Sequence, residues 1–154
     1  MIIYDKRIMK EGKCSVCNHP VMVDEIGNGD VCKNCGWVQD SASIKLPHSP
    51  SPIIISLDKA RQLYKERKPF KPDFEDFIDF YETNGEVEFT YNNIIYGMAG
   101  TENDAVQFWA CNVPIKERNP IVFVSIDEFI ANASIDGVLV KDLWNKVENP
   151  GYLQ

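Results

Sequence analysis

Two pairs of cysteines constrain this chain more than any other feature. Cys14 and Cys17 form one Cys-x-x-Cys unit, Cys32 and Cys35 form a second, and fourteen residues separate the two units. Zinc in structural sites is held in a tetrahedron by four ligands, and thiolates bind it well. Two tight turns that each present two sulfurs, joined by a hairpin, match this geometry. The spacing therefore predicts a small zinc ribbon that holds one structural Zn²⁺ ion.

The residues between and after the two pairs fit this prediction. Residues 21–23 favour a strand, residues 27–30 a turn, and Val31 the start of the returning strand. Gly36 follows the second pair, where freedom of the backbone lets amide groups turn back toward sulfur. Asn18 follows the first pair and, after glycine, is well suited to that left-handed conformation. We therefore expect two similar knuckles connected by a hairpin.

Two other interpretations of the cysteines remain open. His19 lies beside the first pair and could replace one thiol as a ligand. A redox dithiol is the second alternative, although such motifs use a single Cys-x-x-Cys unit that opens a helix. A closed shell of four thiolates leaves no position for water or substrate, so we expect a structural ion and no enzymatic activity. Trp37 is expected to cover the small core beside the ion.

The rest of the chain divides into a linker and a larger body. Three prolines fall within six residues of segment 41–55, which predicts a stiff, extended linker. The predicted organisation is thus a zinc ribbon at 1–40, a linker rich in proline and serine at 41–55, and an α+β body at 56–154.

Hydrophobic periodicity predicts the elements of that body. A helix is expected after Ser56 and a second from Asp73 to Asn84, since apolar residues recur there at helical spacing. Alternation predicts a strand from Glu86 to Tyr91, and Asn92-Asn93 a turn into the next strand. Two further strands are expected at 105–111 and 121–124, followed by short helices at 125–131 and 140–147. The predicted fold class is therefore α+β, with two helices, a four-stranded antiparallel meander and two short C-terminal helices.

Charge is distributed unevenly. The net charge is −7, whereas residues 1–48 hold six basic and six acidic residues. Residues 72–115 contain nine acidic residues and no lysine or arginine, a surface that favours a basic partner and repels phosphates. The candidate partner-binding residues are Asp73, Glu75, Asp76, Asp79, Glu82, Glu86 and Glu88. The alternative is an ordinary solvated face opposite the apolar side of the helix.

A basic stretch offers a competing hypothesis. It comprises Lys59, Arg61, Lys65, Arg67, Lys68 and Lys71. These side chains could contact phosphates, which makes a nucleic-acid-binding or transcription-associated zinc ribbon the alternative function. More often such a helix pairs its charges with nearby acids. The fifth cysteine, Cys111, has apolar neighbours and is interpreted as a structural thiol rather than a nucleophile.

The sequence also indicates a compartment. No apolar run approaches the length of about 20 residues that a membrane helix needs. In residues 1–7, charged residues follow a very short apolar patch, and this pattern does not resemble a signal peptide. We therefore expect a cytoplasmic protein without a membrane partner, where paired cysteines more often hold metal than form disulfides.

The cysteine pattern resembles a known family. Bacterial cysteine-rich proteins of the CPCC type carry a first cysteine knuckle, a second knuckle followed by an aromatic residue and acids, and a Ser-Leu-x-x-Ala-Arg-x-x-Tyr helix. The matching segments here are 14–17, 31–40 and 56–64. The first knuckle departs from the family, because Cys-Pro-Cys-Cys is replaced by Cys-Ser-Val-Cys. The resemblance covers residues 14–68.

This resemblance implies a small cytosolic factor, of a kind often encoded among bacterial toxin and immunity genes. The body is similar in style to acidic immunity proteins of Gram-positive bacteria, in its strand 88–92 and its ending from Ile135 to Trp144. Together with the closed metal site and the acidic body, these resemblances imply a non-enzymatic immunity protein that binds a basic toxin domain and occludes it.

Overall fold

The computed structural model of the protein describes residues 8–51 and 55–151. It divides into an N-terminal unit, residues 1–71, and a C-terminal unit, residues 72–154. The α+β class predicted from the sequence is confirmed. Residues 1–7, which bear on the signal-peptide argument, and residues 52–54 of the predicted linker lie outside the described ranges.

The N-terminal unit is built from short elements. Strands β1 (Lys10–Lys13) and β2 (Pro20–Val23) form one antiparallel pair, and β3 (Pro50–Ser51) and β4 (Ile55–Ser56) form another. Its helices are α1 (Ser41–Lys45) and α2 (Leu57–Lys65). The unit therefore has no large sheet in its described part, and its core depends on what lies between these small elements.

The hairpin of the ribbon differs from the prediction. Strand β2 pairs with β1, which precedes the first cysteine pair, so that this hairpin encloses the first knuckle rather than joining the two. Val31 instead forms an isolated bridge with Val38 around the second knuckle. The predicted turn at residues 27–30 is present in part, since Val23 bridges to Gly29. Each knuckle thus has its own flanking pair.

The predicted linker at 41–55 contains regular structure. Asp40 caps α1, because its carboxylate accepts a hydrogen bond of 2.9 Å from the Ser43 amide. Beyond α1, strand β3 pairs with β4, and Ile55 is fully buried. The predicted stiff, extended linker thus contains a helix and part of a strand pair within its described residues. Proline fixes φ without preventing a short edge pairing, which explains why composition alone was misleading.

The predicted boundary at residue 55 also requires correction, since α2 belongs to the N-terminal unit. Ser56 caps α2 by accepting a hydrogen bond of 3.1 Å from the Lys59 amide, as its position before the helix suggested. The buried side of α2 packs into the core of the ribbon. That core comprises Cys14, Val21, Cys32, Trp37, Ile55, Leu57 and Ala60.

The C-terminal unit begins with helix α3 (Phe74–Asn84). Asp73 and Asp76 form a reciprocal capping box at its start, with hydrogen bonds of 2.8 and 2.9 Å. Gly85 ends the helix in the left-handed conformation, with φ of 78°. The buried residues of α3 include Phe77 and Phe80, and the ring of Phe77 packs edge-on against that of Phe89.

A five-stranded antiparallel sheet follows. Its strands are β5 (Glu86–Tyr91), β6 (Ile94–Gly100), β7 (Val106–Ala110), β8 (Ile121–Phe123) and β11 (Glu148–Gly151), in the order β11-β5-β6-β7-β8. Asn92 and Asn93 both have positive φ, which allows the two-residue turn between β5 and β6. The sheet thus contains the four predicted strands of the meander and one further strand, β11, that the sequence did not predict.

The remaining elements close the core of this unit. Helix α4 (Ile126–Asn132), the hairpin of β9 (Ser134–Ile135) and β10 (Val138–Leu139), and a 3₁₀ helix at Val140–Lys146 precede β11. The ring of Trp144 lies 4.5 Å from that of Phe77 between centroids, and its indole N–H donates to the Pro72 carbonyl at 3.1 Å. Phe129 of α4 packs edge-on against Phe108. Within the described ranges, no helix combines the length and apolar character needed to cross a bilayer.

Candidate metal centre

The first cysteine knuckle is a tight turn between β1 and β2. The Cys14 amide donates to the His19 carbonyl at 2.8 Å, and the Asn18 amide donates to the Cys14 carbonyl at 3.0 Å. Asn18 has φ of 62°, the left-handed conformation expected from its position after the pair. This turn brings the sulfurs of Cys14 and Cys17 to the same side of the chain.

The second knuckle repeats this hydrogen-bond pattern. The Cys32 amide donates to the Trp37 carbonyl at 2.8 Å, and the Gly36 amide donates to the Cys32 carbonyl at 2.8 Å. Gly36 has φ of 80°, and a Cβ at that position would meet no atom of the described residues within 4 Å, chain neighbours aside. The backbone conformation rather than space therefore favours glycine. The two knuckles are therefore local equivalents, as the repeated spacing predicted.

The four predicted cysteines converge on one point. The Sγ atoms of Cys14 and Cys35 are 3.6 Å apart, and those of Cys17 and Cys32 are 3.5 Å apart. All four sulfurs lie within 4.8 Å of one another. Metal–sulfur bonds of about 2.3 Å in a tetrahedron require sulfur–sulfur edges of about 3.8 Å, close to these separations. The four cysteines are thus placed to hold one metal ion.

The thiols differ in acidity because their surroundings differ. Burial opposes charge on Cys17, but hydrogen bonds involving Asn34, His19 and the neighbouring thiols lower its pKa to about 6. Burial raises the pKa of Cys14, an effect partly offset by the amides of Cys17 and Val16. The pKa of Cys35 is also raised, by burial and by the adjacent sulfurs. A metal ion that binds here must displace the remaining thiol protons.

Two other residues that the sequence analysis discussed lie outside the cysteine cluster: His19, the alternative ligand, and Cys111, interpreted as a structural thiol. The side chain of His19 is exposed, and the metal-ligating group found among the described residues consists of cysteines alone. The backbone of His19 instead supports the first knuckle. Cys111 follows β7 in the C-terminal unit and is half-buried. The alternative in which histidine completes the shell therefore has no support.

Trp37 covers the core beside the sulfurs, as the sequence suggested. Its side chain is fully buried in the same cluster as Cys14 and Cys32. The ring of Phe70 meets it edge-on, with centroids 5.9 Å apart and planes at 89°. Such edge-to-face contacts stabilise aromatic pairs beyond the area that they bury. The metal centre thus forms part of the only hydrophobic core identified in the described part of this unit.

Helix α2 contacts both knuckles, which the sequence did not predict. The Arg61 guanidinium donates from Nε to the Ser15 carbonyl at 3.0 Å. One turn further along, the Tyr64 hydroxyl accepts a hydrogen bond of 3.2 Å from the Asn34 side chain. These contacts join residues 30 or more positions apart, so no local pattern could reveal them. These two hydrogen bonds connect helix α2 to both knuckles of the metal centre.

The candidate acidic residues separate into two groups. Asp73 and Asp76 form the capping box of α3, and Asp76 and Glu88 are only partly exposed. The remaining four are exposed and form no ion pair within the described ranges: Glu75, Asp79, Glu82 and Glu86. Glu75, Asp79 and Glu82 follow at helical spacing and share one face of α3. We call these four residues the acidic stripe.

Comparison with known proteins supports the assignment of the N-terminal region. The family model described as "Cysteine-rich CPCC" matches residues 12–76, which include all four clustered cysteines. Neither the curated proteins nor the solved structures gave a match. The N-terminal region is therefore a cysteine-rich module similar to the CPCC family and able to bind a metal.

Proposed function

We propose that the ion held by the four cysteines is Zn²⁺ and that its role is structural. The observation that carries this proposal is the cluster of four sulfurs, at separations that suit a tetrahedral ion. Thiolates favour zinc over hard cations, and four of them close the shell to water and substrate. When bound, zinc would supply folding free energy to the unit, on the order of 10 kcal/mol.

Native mass spectrometry of the purified chain tests the ion directly. We expect the parent protein to carry one zinc ion and to lose it when Cys17 or Cys32 is replaced by serine. Cys111→Ser is the matched control, because it removes a thiol outside the cluster and should retain the metal. A chain that is folded and free of metal would contradict the proposal.

We further propose that the protein acts without catalysis, as a cytoplasmic immunity protein that binds a basic toxin domain and occludes it. The acidic stripe supports this proposal, since its four carboxylates are exposed and have no cationic partner in the described ranges. The C-terminal unit as a whole holds fifteen acidic and four basic residues, a net charge of −11. Such a surface attracts basic partners at long range and speeds their association.

Charge reversal tests the immunity proposal. Co-expression with a candidate toxin encoded by a neighbouring gene should kill cells that lack this protein and spare cells that have it. Replacing the acidic stripe (Glu75, Asp79, Glu82 and Glu86) by lysine should abolish the rescue. Rescue that survives the reversal would exclude the stripe as the binding face.

The same charge change elsewhere on the unit serves as the control. Glu102, Asp127, Asp142 and Glu148 are also exposed, and Asp127 occupies the first turn of α4 as Glu75 does in α3. Reversing these four should preserve rescue, since the net charge changes equally but the stripe stays intact. Loss of rescue in both variants would indicate that overall charge, not a face, drives recognition.

Binding to nucleic acid is the second proposal. It is favoured by the charge of the N-terminal unit, whose twelve basic and eight acidic residues give +4. Among the six residues in the basic stretch, Arg61 forms an ion pair with Asp58, and Lys68 forms one with Glu66. Retention on heparin at low salt, lost steeply as salt rises, would support this function, and absence of retention would exclude it.

A further inference from the structure

Gln39 is a buried polar side chain that faces the candidate metal centre. It is only 3% exposed, and its carboxamide lies beside Cys14 although the two residues are 25 positions apart in the chain. Its Nε2 atom is 3.4 Å from the Cys14 Sγ and 3.3 Å from the Trp37 carbonyl. Its Oε1 atom accepts hydrogen bonds of 3.1 Å from both the amide and the hydroxyl of Ser15. The carboxamide thus makes four hydrogen bonds inside the unit.

The orientation of this carboxamide follows from its partners. The amide N–H of Ser15 can only donate, so the atom that faces it must be the oxygen of Gln39. The NH₂ group must then face the sulfur of Cys14 and the Trp37 carbonyl, both of which can accept. The hydrogen bond from the Ser15 amide therefore fixes the orientation of the carboxamide and directs its NH₂ group at Cys14. This assignment does not depend on the protonation of the sulfur.

We propose that Gln39 is a positioning residue of the metal centre, which stabilises the Cys14 thiolate and fixes the first knuckle. Four thiolates around a divalent ion carry a net charge of about −2, and a buried charge is costly unless donors surround it. Hydrogen bonds to an ionised acceptor are stronger than neutral ones. The Val16 amide, 3.5 Å from the same sulfur, supplies a second donor.

The contact with Ser15 makes this role specific to the first knuckle. Proline stands at this place in the Cys-Pro-Cys-Cys pattern, where its ring fixes φ and removes the N–H. Ser15 retains its N–H and gives both its donors to Gln39, while its carbonyl accepts from Arg61. Hydrogen bonds from two other elements therefore hold a knuckle that has no proline ring. Ser15 and Gln39 act as a pair.

Replacement of the carboxamide tests this proposal in the full chain. Gln39→Met keeps the length of the side chain but removes all four hydrogen bonds. Loss of a hydrogen bond to a metal ligand typically weakens metal affinity about 10- to 100-fold, and we expect a change of that size in competition with a zinc chelator. Ser15→Ala, which removes only the hydroxyl contact, should give a smaller loss and is the variant to use if Gln39→Met does not fold.

Cobalt substitution distinguishes positioning from general stability. With Co²⁺ alone as the probe, the thiolate-to-metal charge-transfer band of Gln39→Met should move to lower energy. The Cys14 sulfur then accepts one hydrogen bond fewer, from the Val16 amide alone, and so gives up its electrons more readily. Gln62→Met, the same change at an exposed glutamine of α2, should alter neither affinity nor spectrum. An unchanged band in Gln39→Met, or affinity equal to the parent in both Gln39→Met and Ser15→Ala, would overturn the proposal. Failure of the parent itself to bind metal would refute the centre rather than the role of Gln39.

Discussion

Single residues decide the shape of each knuckle. Asn18 and Gly36 occupy equivalent positions after the two cysteine pairs and adopt φ of 62° and 80°. That conformation is routine for glycine and tolerated by asparagine, whose short side chain can hydrogen-bond locally. With this turn, the amide of each residue reaches back to the carbonyl of the first cysteine of its pair. The sulfurs converge because Asn18 and Gly36 adopt a left-handed backbone conformation that is unfavourable for most residues.

Tyr81, in the C-terminal unit, should make the folding stability of this protein decrease at alkaline pH. Burial, with smaller contributions from Asp104 and Glu82, raises the pKa of Tyr81 above its ordinary value near 10. The unfolded chain therefore loses this proton at a lower pH than the folded chain. Stability from the neutral hydroxyl is complete below about pH 10 and is lost as pH rises toward the folded pKa.

Urea unfolding at a series of pH values checks this expectation. The midpoint for the C-terminal unit should fall as pH rises above about 10, and Tyr81→Phe should reduce that fall. Tyr96→Phe should also reduce the fall, because burial raises the pKa of that tyrosine as well. A Tyr81→Phe chain that loses as much stability as the parent over this range would contradict the argument.

At the scale of elements, the packing of strand β6 against strand β7 requires a glycine at one position. Gly97 is paired in register with Trp109, and the indole ring of Trp109 lies across it. A Cβ at Gly97 would stand 2.6 Å from atoms of that ring, closer than real side chains approach. Glycine in a strand often marks such a close approach, and here it gives the tryptophan a place on the sheet.

Gly97→Ala should therefore destabilise the C-terminal unit, by about 1–3 kcal/mol, since the large ring must move to admit the methyl group. Gly151→Ala provides the comparison, because it places the same methyl group in strand β11 where, chain neighbours aside, no atom of the described residues lies within 4 Å. Denaturant unfolding followed by tryptophan fluorescence would measure both. Equal free energies of unfolding for the two variants would show that the ring is not held over Gly97.

At the scale of the whole molecule, the two units have opposite charge and separate cores. The N-terminal unit carries +4 and the C-terminal unit −11. The first unit has a small core that includes Cys14 and Cys32, whereas the second buries several aromatic rings, among them Phe77, Phe89 and Phe129. A core this small rarely supplies enough stability by itself, and metal is one common remedy. We expect the folding of the N-terminal unit, but not that of the C-terminal unit, to depend on the metal ion.

Removal of metal by a chelator should thus unfold one unit and spare the other. Hydrogen exchange should show lost protection in residues 8–51 and 55–71, including α2, while the sheet of the C-terminal unit stays protected. Cys17→Ser should reproduce this result without chelator, and Cys111→Ser should not. Protection that persists throughout after metal loss would mean that the ribbon core is stable without an ion.

The sequence by itself determined the features that depend on neighbours a few residues away. The spacing of Cys14 to Cys17 and of Cys32 to Cys35 predicted the knuckles, and Asn92-Asn93 predicted the hairpin turn. Helix α3 was predicted because apolar residues recur along one face. In each case the controlling interaction is local, so a short window of sequence contains its cause.

Tertiary structure alone decided what those elements pack against. Periodicity indicated that α2 buries a face, but not that the face meets Cys14 and Cys32. Strand β11 lacks alternation and contains Pro150, which an edge strand tolerates because one side needs no partner. The contact between Gln39 and Cys14 likewise spans 25 residues. Such pairings depend on the folding of the whole unit, because chain segments far apart in sequence meet only when their buried surfaces come together.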